Sequence, residues 1–357
     1  MKIKVEKSIL TEVLKKTVKV IDSKADIPIL SGVHLVADFE GLTVTGCDSE
    51  LAIRVFVPNG EGVEIEEAGN IVLPAKEFSN IVKSMPENIE ITCEDLKSTI
   101  NSGRATFQLS GMNGDEYPRL PKVEGDGFTI QGGELKELIN KTLYATSEIE
   151  TRPILTGVNT FFEGNNIVMI ATDSYRLARV VGGNVENGMR EENIVIPQKT
   201  LNELARIIDD SEEVKIQHQN NKVLFKTGDI IIFSRLLDGK YPETDRLMPE
   251  GYSTLLVIDR KALLSALERS SILADDIPVV TMTINNENEG IFPTIELSYK
   301  DSELGHSKEE VVVEKIEGQE LKLAFNAKFL MEALKVMDGN KVRIRDVIRA
   351  VLGRERQ

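Results

Sequence analysis

The chain has 357 residues, 41% of them hydrophobic and 28% charged, and a formal net charge of −15. This composition excludes an intrinsically disordered chain, and the length predicts two or three domains. No apolar run is long enough to cross a bilayer or to form a signal-peptide core, and the only cysteines are Cys47 and Cys93. We therefore expect a cytoplasmic protein without membrane contact or a disulfide framework.

The first third of the chain predicts a helix, then strands, then a second helix and further strands. Apolar residues at helical spacing indicate a helix over 7–20, and the run HLVADFEGLTVTG is typical of β-strands broken by a turn. A second helix is expected at 76–84, after the strand-like IVLPA, and the strand ATFQLSG closes the unit.

The same order of elements returns twice. The motif PILSGV, which begins at Pro28, recurs as PILTGV 125 residues later, and DSELAIRV recurs at the same distance as DSYRLARV. The Tyr-Pro pair near the end of the first unit (YPRLP) recurs near the end of the second (YPETD). Several matches in one order and at nearly one offset indicate a triplicated unit. We predict three domains, the last with an atypical C-terminal end: 1–122, 123–249 and 250–357.

The later units carry their own pairs of helices. The spacing of apolar residues predicts helices at 134–143, 199–207, 260–270 and 328–336. Asp259 is a candidate N-cap for the third of these helices. Two helices among many antiparallel strands in each unit predict an α+β fold rather than a parallel βαβ architecture.

The six predicted helices are basic within an acidic chain. They contain 15 Lys and Arg against 7 Asp and Glu, a surplus of +8 that leaves −23 on the remaining residues. A single basic helix is explained as an ordinary amphipathic helix with a solvated face. However, five of the six helices have more basic than acidic residues. On one shared surface they would bind phosphates by charge, without sequence preference. Because the chain has no Trp, contact with a duplex backbone is favoured over base stacking.

Motifs for catalysis and metal binding are absent from the sequence. Three histidines lie in different units without ligand spacing: His34, His218 and His306. The Gly-rich stretch at 125–133 lacks phosphate-loop spacing and is interpreted as a linker and helix entry. The acidic pairs Asp209-Asp210 and Asp275-Asp276 could serve metal-dependent chemistry, although turns explain them more simply. We expect no enzyme activity, no cofactor and no metal.

Five motifs resemble those of the bacterial sliding clamp, the beta subunit of DNA polymerase III: PILSGV/PILTGV, ATDSYRLA, IVIPQKTLNEL, DGKYPETDRLMP and FNAKFLMEALK. The resemblance implies the DNA-clamp fold, with three repeated domains per chain and two chains joined head-to-tail as a homodimeric ring. It implies a non-catalytic processivity factor whose helices line the hole, which encircles double-stranded DNA and tethers the replicative polymerase. Implied partners are duplex DNA, the polymerase alpha subunit, the clamp loader and other clamp-binding-motif proteins.

The resemblance also implies site residues. A groove for partner peptides would use these positions: Leu155, Thr172, Ser174, Tyr175, Arg176, Leu177, Pro242, Arg246, Leu247, Asn326 and Phe329. Duplex DNA would contact Lys24, Arg152 and Lys199, although an ordinary loop ion pair is an open alternative for the arginine. The joint of the ring would involve Arg104, Ile272 and Leu273.

The end of the chain departs from this pattern, and the resemblance is expected to end after Met337. Only 31 residues follow Asn326, whereas about 52 separate the equivalent Pro197 from the end of the second unit. The tail GNKVRIRDVIRAVLGRERQ predicts the loss of two edge strands, which would leave backbone groups unpaired on the neighbouring sheet. A shifted reading frame, a divergent second clamp and a substitute helix from Asp346 to Leu352 remain alternatives.

Three functional hypotheses follow from the sequence. The first is a working clamp that binds duplex DNA and recruits partners. The second is a divergent or C-terminally altered clamp paralogue with reduced partner recruitment. The third, from another class, is a metal-dependent hydrolase, which would need carboxylates such as Asp173.

Overall fold

The computed structural model describes residues 1–121, 123, 127–185, 193–247, 251–273, 278–284, 293–301 and 305–346. They belong to two compact structural units. The first unit, Met1–Lys240, contains the first two repeats, and the second unit, Tyr241–Gln357, contains the third. The acidic pair Asp275-Asp276 and positions 347–352 of the alternative helix lie outside the described residues.

The first domain folds as the sequence predicts, with two helices among antiparallel strands. Its elements are β1 (Lys2–Val5), α1 (Lys7–Thr17), β2 (Gly32–Ala37), β3 (Gly41–Cys47), β4 (Leu51–Pro58), β5 (Val63–Glu67), β6 (Gly69–Pro74), α2 (Ala75–Ser84), β7 (Ile89–Glu94), β8 (Lys97–Ser102) and β9 (Ala105–Ser110). A 3-10 turn over Val18–Val20 extends α1 to the predicted end. One sheet of this domain has the order β5-β1-β7-β8-β9.

The second domain repeats this order within the same unit. Its elements are β10 (Gly127–Gln131), α3 (Gly132–Leu143), β11 (Gly157–Glu163), β12 (Asn166–Thr172), β13 (Leu177–Asn184), β14 (Ile194–Pro197), α4 (Gln198–Ile207), β15 (Glu213–Gln219), β16 (Lys222–Thr227) and β17 (Ile230–Arg235). Strands β13-β12-β11-β14 form a four-stranded sheet, whereas β10 and β15–β17 join strands of the first domain.

The second unit contains the third repeat. Its elements are β18 (Thr254–Asp259), α5 (Arg260–Ser270), β19 (Val279–Ile284), β20 (Thr294–Asp301), β21 (Gly305–Val312), β22 (Lys315–Gly318), β23 (Leu321–Asn326), α6 (Ala327–Val336) and β24 (Lys341–Asp346). They form two sheets, β22-β18-β24 and β21-β20-β19-β23. All six predicted helices are present, and the predicted α+β architecture with three repeats is confirmed.

The helices begin directly after strands, at residues that cap the helix or cannot continue the strand. The N-cap of the second helix in each repeat is Pro74, Pro197 or Asn326, and a proline cannot donate a hydrogen bond to a continuing strand. The side-chain oxygen of Asn326 accepts a hydrogen bond from the backbone N–H two residues later at 3.0 Å. The predicted cap Asp259 accepts one from the N–H three residues later at 2.8 Å, which confirms it.

One hydrophobic core runs through the first and second domains. Helices α1 and α2 contribute Leu10 and Phe78, and α4 contributes Leu204, all without exposed surface. The third repeat has a core cluster of its own in the second unit. Because apolar burial is the main stabilising contribution to folding, the first two domains stabilise each other.

Strand β17 of the second domain pairs with β4 of the first, and Ile232 lies opposite Ile53, both fully buried. The pairing creates one eight-stranded sheet, β10-β15-β16-β17-β4-β3-β2-β6. Beside it, the hydroxyl groups of Thr200 and Ser234 share a buried hydrogen bond of 2.6 Å. The last strand of the second domain thus covers an edge that the first domain would otherwise expose.

The segment after Met337 forms a strand, β24, which pairs with β18 as β7 pairs with β1 and β15 with β10. Val342 of this strand is buried in the core of the second unit. The alternative helix does not begin at Asp346, because this residue pairs with Thr254 in the sheet.

We expect the Ile232→Ala substitution to lower the free energy of unfolding by about 2–5 kcal/mol, because it leaves a cavity in the core shared by two domains. Urea unfolding followed by circular dichroism measures this change. As a control, Val181→Ala on β13 removes a side chain that is 44% exposed and should cost less than about 0.5 kcal/mol. Equal small losses for both variants would contradict the packing of β17 on β4.

Candidate functional site

A tight turn joins β12 to β13 in the second domain. One carboxylate oxygen of Asp173 accepts hydrogen bonds from the backbone N–H groups of Tyr175 and Arg176, at 2.9 and 3.0 Å. Between Asp173 and Tyr175, Ser174 has a φ of +80°, in the left-handed region that residues other than glycine seldom adopt. Backbone strain of this kind persists where the surrounding structure holds it in place, and it is common at functional sites.

The guanidinium group of Arg176 is fixed by its neighbours in this turn. Its Nε donates a hydrogen bond of 2.9 Å to the second carboxylate oxygen of Asp173, and its Cζ lies 5.4 Å from the centre of the Tyr144 ring. The side chains of Arg176 and Asp173 are only 17% and 13% exposed. The turn therefore presents a planar cation in a defined orientation, which suits recognition of polar groups on a peptide.

The other predicted groove residues of the second domain have two different environments. Tyr175 is 84% exposed, whereas Leu155 and Thr172 are buried at 3% and 7% exposure. The hydroxyl group of Thr172 donates a hydrogen bond of 2.6 Å to the carbonyl of Arg176 and so stabilises the turn from below. The predicted set thus combines exposed side chains on a turn with buried side chains that support it.

The remaining predicted groove residues belong to the second unit. Arg246 and Leu247 lie in a 3-10 turn, and the leucine is 47% exposed. Asn326 caps α6, whose first turn contains Phe329, and Pro242 is exposed. That these residues form one groove with the turn between β12 and β13, called here the Asp173 turn, stays a prediction.

The first domain has a counterpart of the predicted groove, which sequence analysis missed. The equivalents of Leu155, Thr172 and Leu177 are Leu30, Cys47 and Ala52. These three residues form a closed cluster with Tyr117 and with Phe233 of β17, and each member is at most 8% exposed. The position that would take a peptide is therefore filled by side chains of the chain itself.

This closed cluster also explains an inert histidine. The ring of His34 lies 4.7 Å from the ring of Tyr117. Burial, assisted by the nearby Arg54 guanidinium, lowers the pKa of His34 to about 4, so the imidazole is neutral at pH 7. Burial also raises the pKa of the Cys47 thiol to about 11, which excludes a reactive thiolate at neutral pH.

The basic surplus of the helices has a regular pattern in the structure. The second and ninth residues of the second helix are basic in all three repeats: Lys76 and Lys83 in α2, Lys199 and Arg206 in α4, Lys328 and Lys335 in α6. All six side chains are exposed. Residues seven apart lie on one face of a helix, about 10 Å from each other. Each repeat therefore offers an equivalent pair of cations.

The three predicted DNA contacts differ in their local partners. Lys24 is exposed in a loop, where its backbone N–H donates to Asp22 at 2.9 Å. The ammonium group of Lys199 lies 2.5 Å from a carboxylate oxygen of Asp48, in the turn between β3 and β4. Arg152 donates a hydrogen bond of 3.4 Å to Ser174, which places it beside the turn between β12 and β13.

The predicted ring-joint residues lie on two different units. Arg104 is exposed in the turn between β8 and β9 of the first unit. In the second unit, Ile272 is 75% exposed after α5, whereas Leu273 packs against the core. Phe107, which is not among the predicted joint residues, is 41% exposed on β9. A large exposed apolar side chain on an edge strand is typical of a contact surface.

The acidic pair Asp209-Asp210 is used within the fold. Asp209 accepts hydrogen bonds from the backbone N–H and the hydroxyl group of Ser211, and Asp210 pairs with Lys136. Within the described residues, no three His, Cys, Asp or Glu side chains form a group that could hold a metal ion. In the same part of the chain, no helix combines the length and the apolar character needed to cross a membrane.

Family models match nearly the whole chain in three consecutive parts. They are described as the N-terminal, central and C-terminal domains of the DNA polymerase III beta subunit, and they match residues 1–121, 129–243 and 245–347. The chain belongs to the beta sliding clamp family. The third match extends to residue 347, so the prediction that the resemblance ends after Met337 was wrong.

Individual relatives agree with this assignment. The beta sliding clamp of Bacillus subtilis (strain 168) is 40% identical over 355 residues, which cover 96% of this chain and 92% of that protein. The beta sliding clamp of Halalkalibacterium halodurans is 39% identical over 95% of this chain and 91% of that protein. The crystal structure of the Bacillus subtilis DNA polymerase sliding clamp superposes with a TM-score of 0.92, at 39% identity, and covers 97% of this chain and 92% of that chain.

We expect Asp173→Ala to lower the free energy of unfolding of this clamp by about 1–3 kcal/mol, because it leaves two backbone N–H groups and a half-buried guanidinium without their acceptor. Asp173→Asn keeps an oxygen for the backbone N–H groups and should cost less. Urea unfolding of both variants measures the difference. If the asparagine variant lost as much stability as the alanine variant, the stabilising role of the hydrogen bonds that Asp173 accepts from the backbone would be contradicted.

Proposed function

We propose that this member of the clamp family is a working DNA sliding clamp of the cytoplasm. Two copies form a head-to-tail ring around double-stranded DNA, and the ring tethers the replicative polymerase without catalysing a reaction or using a cofactor. The observation that carries the proposal is a triplicated fold whose six helices together carry a positive surplus in an otherwise acidic chain. The full-length match to beta sliding clamps supports it.

Charge is the proposed basis of the DNA contact. The helices and the 3-10 turn that extends α1 carry a surplus of +8, and equivalent basic pairs recur in all three repeats. Such a surface attracts phosphates without reading bases, which allows movement along the duplex. A closed ring then keeps the protein on DNA by topology, and a bound polymerase stays at a high effective concentration near the template.

An edge-to-edge strand contact is the proposed basis of the ring. Strand β9 ends one sheet of the first unit, and β21 ends one sheet of the second unit. They correspond in the repeat to β17 and β4, which pair with each other inside the first unit. The same pairing between β9 of one copy and β21 of another would close the joint, with Phe107, Ile272 and Arg104 beside it.

The Asp173 turn is the proposed centre of partner recruitment. Arg176 supplies an oriented cation and Tyr175 an exposed aromatic ring, two residue types that are frequent at binding hot spots. Pro242, Leu247 and Phe329 from the second unit would complete an apolar groove for a short peptide. The proposed partners that carry such a peptide are the polymerase alpha subunit, the clamp loader and other clamp-binding-motif proteins.

We expect the loaded protein to stay on a nicked circular duplex and to leave it when the circle is cut, because a ring can slide off a free end. Gel filtration of protein–DNA mixtures before and after cutting measures retention. Phe107→Asp should abolish retention and shift the protein from dimer to monomer in analytical ultracentrifugation, since it buries a charge in the joint. Phe39→Asp is the matched control, because Phe39 is 73% exposed in the turn between β2 and β3.

A labelled clamp-binding peptide from a polymerase tests recruitment. We expect saturable binding in fluorescence anisotropy and a loss of at least about tenfold in affinity for Arg176→Ala, equivalent to about 1.4 kcal/mol. Arg179→Ala is the matched control on β13, the strand that follows the turn, because that arginine pairs with Glu163 of β11. A folded dimer that binds DNA but no peptide would instead indicate a clamp paralogue with reduced recruitment.

A further inference from the structure

The eight-stranded sheet of the first unit has a core face and a second, more polar face. Side chains alternate between the two faces along each strand. Ile53 and Ile232 lie opposite each other and are buried in the core shared with the helices. Their neighbours Arg54 and Ile231 also lie opposite each other, so they point to the second face. None of the residues assigned to DNA, peptide or ring contacts lies in a strand of this sheet.

Basic residues dominate the second face in the part formed by β15, β16, β17 and β4, called here the basic face. The paired positions of these strands that point to it contain five cations and one carboxylate: Lys215, Lys222, Lys226, Arg235, Arg54 and Glu213. The carboxylate of Glu213 accepts a hydrogen bond of 3.4 Å from Gln131. The basic face thus has a positive surplus in a chain whose net charge is −15.

The five cations of the basic face have no local partner. None of their side chains forms a hydrogen bond or an ion pair with a described residue. On β1, by contrast, Lys2 and Lys4 both pair with Glu66. Lys215 and Lys226 lie directly opposite each other, and like charges in this arrangement destabilise a sheet. The sheet therefore maintains a local repulsion that an anion at this face would relieve.

Arg54 is partly buried and yet unpaired. Its Nε atom has almost no exposed surface and no hydrogen-bond partner among the described residues. Burial lowers the pKa of this guanidinium group, and its charge contributes to the lowered pKa of the neighbouring His34. Removing a cation from water without a counter-charge costs free energy. A carboxylate at this position would therefore be attracted more strongly than at a fully exposed cation, because less water screens the charges.

The basic face has the dimensions of a short extended peptide. Neighbouring strands lie about 4.8 Å apart, so a row of four opposed side chains, one from each strand, spans about 14 Å. The row consists of Lys215, Lys226, Ile231 and Arg54. In an extended chain that crosses the strands, side chains four residues apart point the same way and lie about 13 Å from each other. Acidic residues at this spacing would meet the two lysines and Arg54, and an apolar residue midway between them would cover Ile231.

We propose that the basic face is a docking site for an acidic segment of a partner protein, bound in an extended conformation across β15, β16, β17 and β4. Charge complementarity requires an anionic occupant, and the apolar Ile231 within the row favours a peptide. Single-stranded nucleic acid binds through exposed aromatic rings, whereas the aromatic side chains that these strands direct to this face, Phe56 and Phe233, are half-buried and buried. The site goes beyond the proposed function, because it recruits a partner without the Asp173 turn.

The competing explanation is that the exposed lysines only keep the sheet face soluble. Lys226→Glu separates the two explanations. It places a carboxylate opposite Lys215 in place of a like charge, so both explanations predict an unchanged or higher melting temperature. Only a docking site predicts that this well-folded variant loses its affinity for an acidic peptide.

The probe is a labelled synthetic pentapeptide with glutamate at its first and fifth positions, leucine at its third and serine between them. We expect saturable binding to the full-length protein in fluorescence anisotropy at about 50 mM salt and weaker binding at about 200 mM. Lys226→Glu should weaken binding at least about tenfold. Lys322→Glu is the matched control, because it makes the same charge change at an exposed lysine of β23 and should leave the affinity unchanged.

Arg54→Met is the second variant, which keeps a long side chain and removes the charge. Because the guanidinium group has no partner in the fold, the variant should keep its melting temperature and still lose about tenfold in peptide affinity. A peptide with glutamine in place of both glutamates should not bind the wild-type protein. Loss of binding in both variants, with the control unchanged, supports the proposal.

The contrary outcomes are equally specific. The proposal is overturned if the wild-type protein shows no saturable binding of the glutamate peptide, or if both variants bind it as the wild type does. Tighter binding of a labelled oligothymidylate through Lys226 and Arg54 would instead assign the face to single-stranded nucleic acid. Retention on circular DNA and binding of the polymerase peptide through Arg176 test the proposed function separately, and both should be unchanged in Lys226→Glu.

Discussion

The antiparallel pairing of β17 with β4 determines much of the first unit. Each repeat has a sheet with an open edge, and open edges expose unpaired backbone groups. Inside the chain, the last strand of the second domain covers the edge of the first, and the two hydrophobic cores merge. The same contact brings Lys199 to Asp48 and inserts Phe233 into the cluster around Tyr117.

The first and second domains differ in the packing around their equivalent turns. In the first domain, the pocket beneath the turn between β3 and β4 is filled by Tyr117 and Phe233. In the second domain, the equivalent turn carries the strained Ser174, the exposed Tyr175 and the fixed Arg176. The hydrogen bonding of the turn is alike in both, because Asp48 and Asp173 each accept two N–H groups, but only Ser174 has a positive φ. A few side chains on a shared scaffold therefore separate a packed core from a candidate binding site.

Charge is distributed by type of element, which reconciles an acidic chain with a nucleic-acid partner. On strands β1 and β5, Lys2 and Lys4 both hydrogen-bond to Glu66 and lower the pKa of its carboxyl group to about 2. Lys19, in the 3-10 turn that extends α1, by contrast forms no ion pair with a described residue. Cations without a local partner contribute most to attraction of a polyanion, because their field is not cancelled nearby.

The sequence by itself determined the triplication, the α+β class, the helix positions and the Asp259 cap. These features depend on local periodicity and capping chemistry, which act within a few residues. The clamp family was also evident from motifs within single segments. The sequence could not show β24, because the strand character of this segment depends on pairing with β18, more than 80 residues earlier. Only the tertiary structure decided that Lys199 pairs with Asp48, that Leu273 packs into a core, and that Phe107 stays exposed. Such contacts join residues far apart in the chain, and they are decided by which edges and cores meet rather than by local propensity.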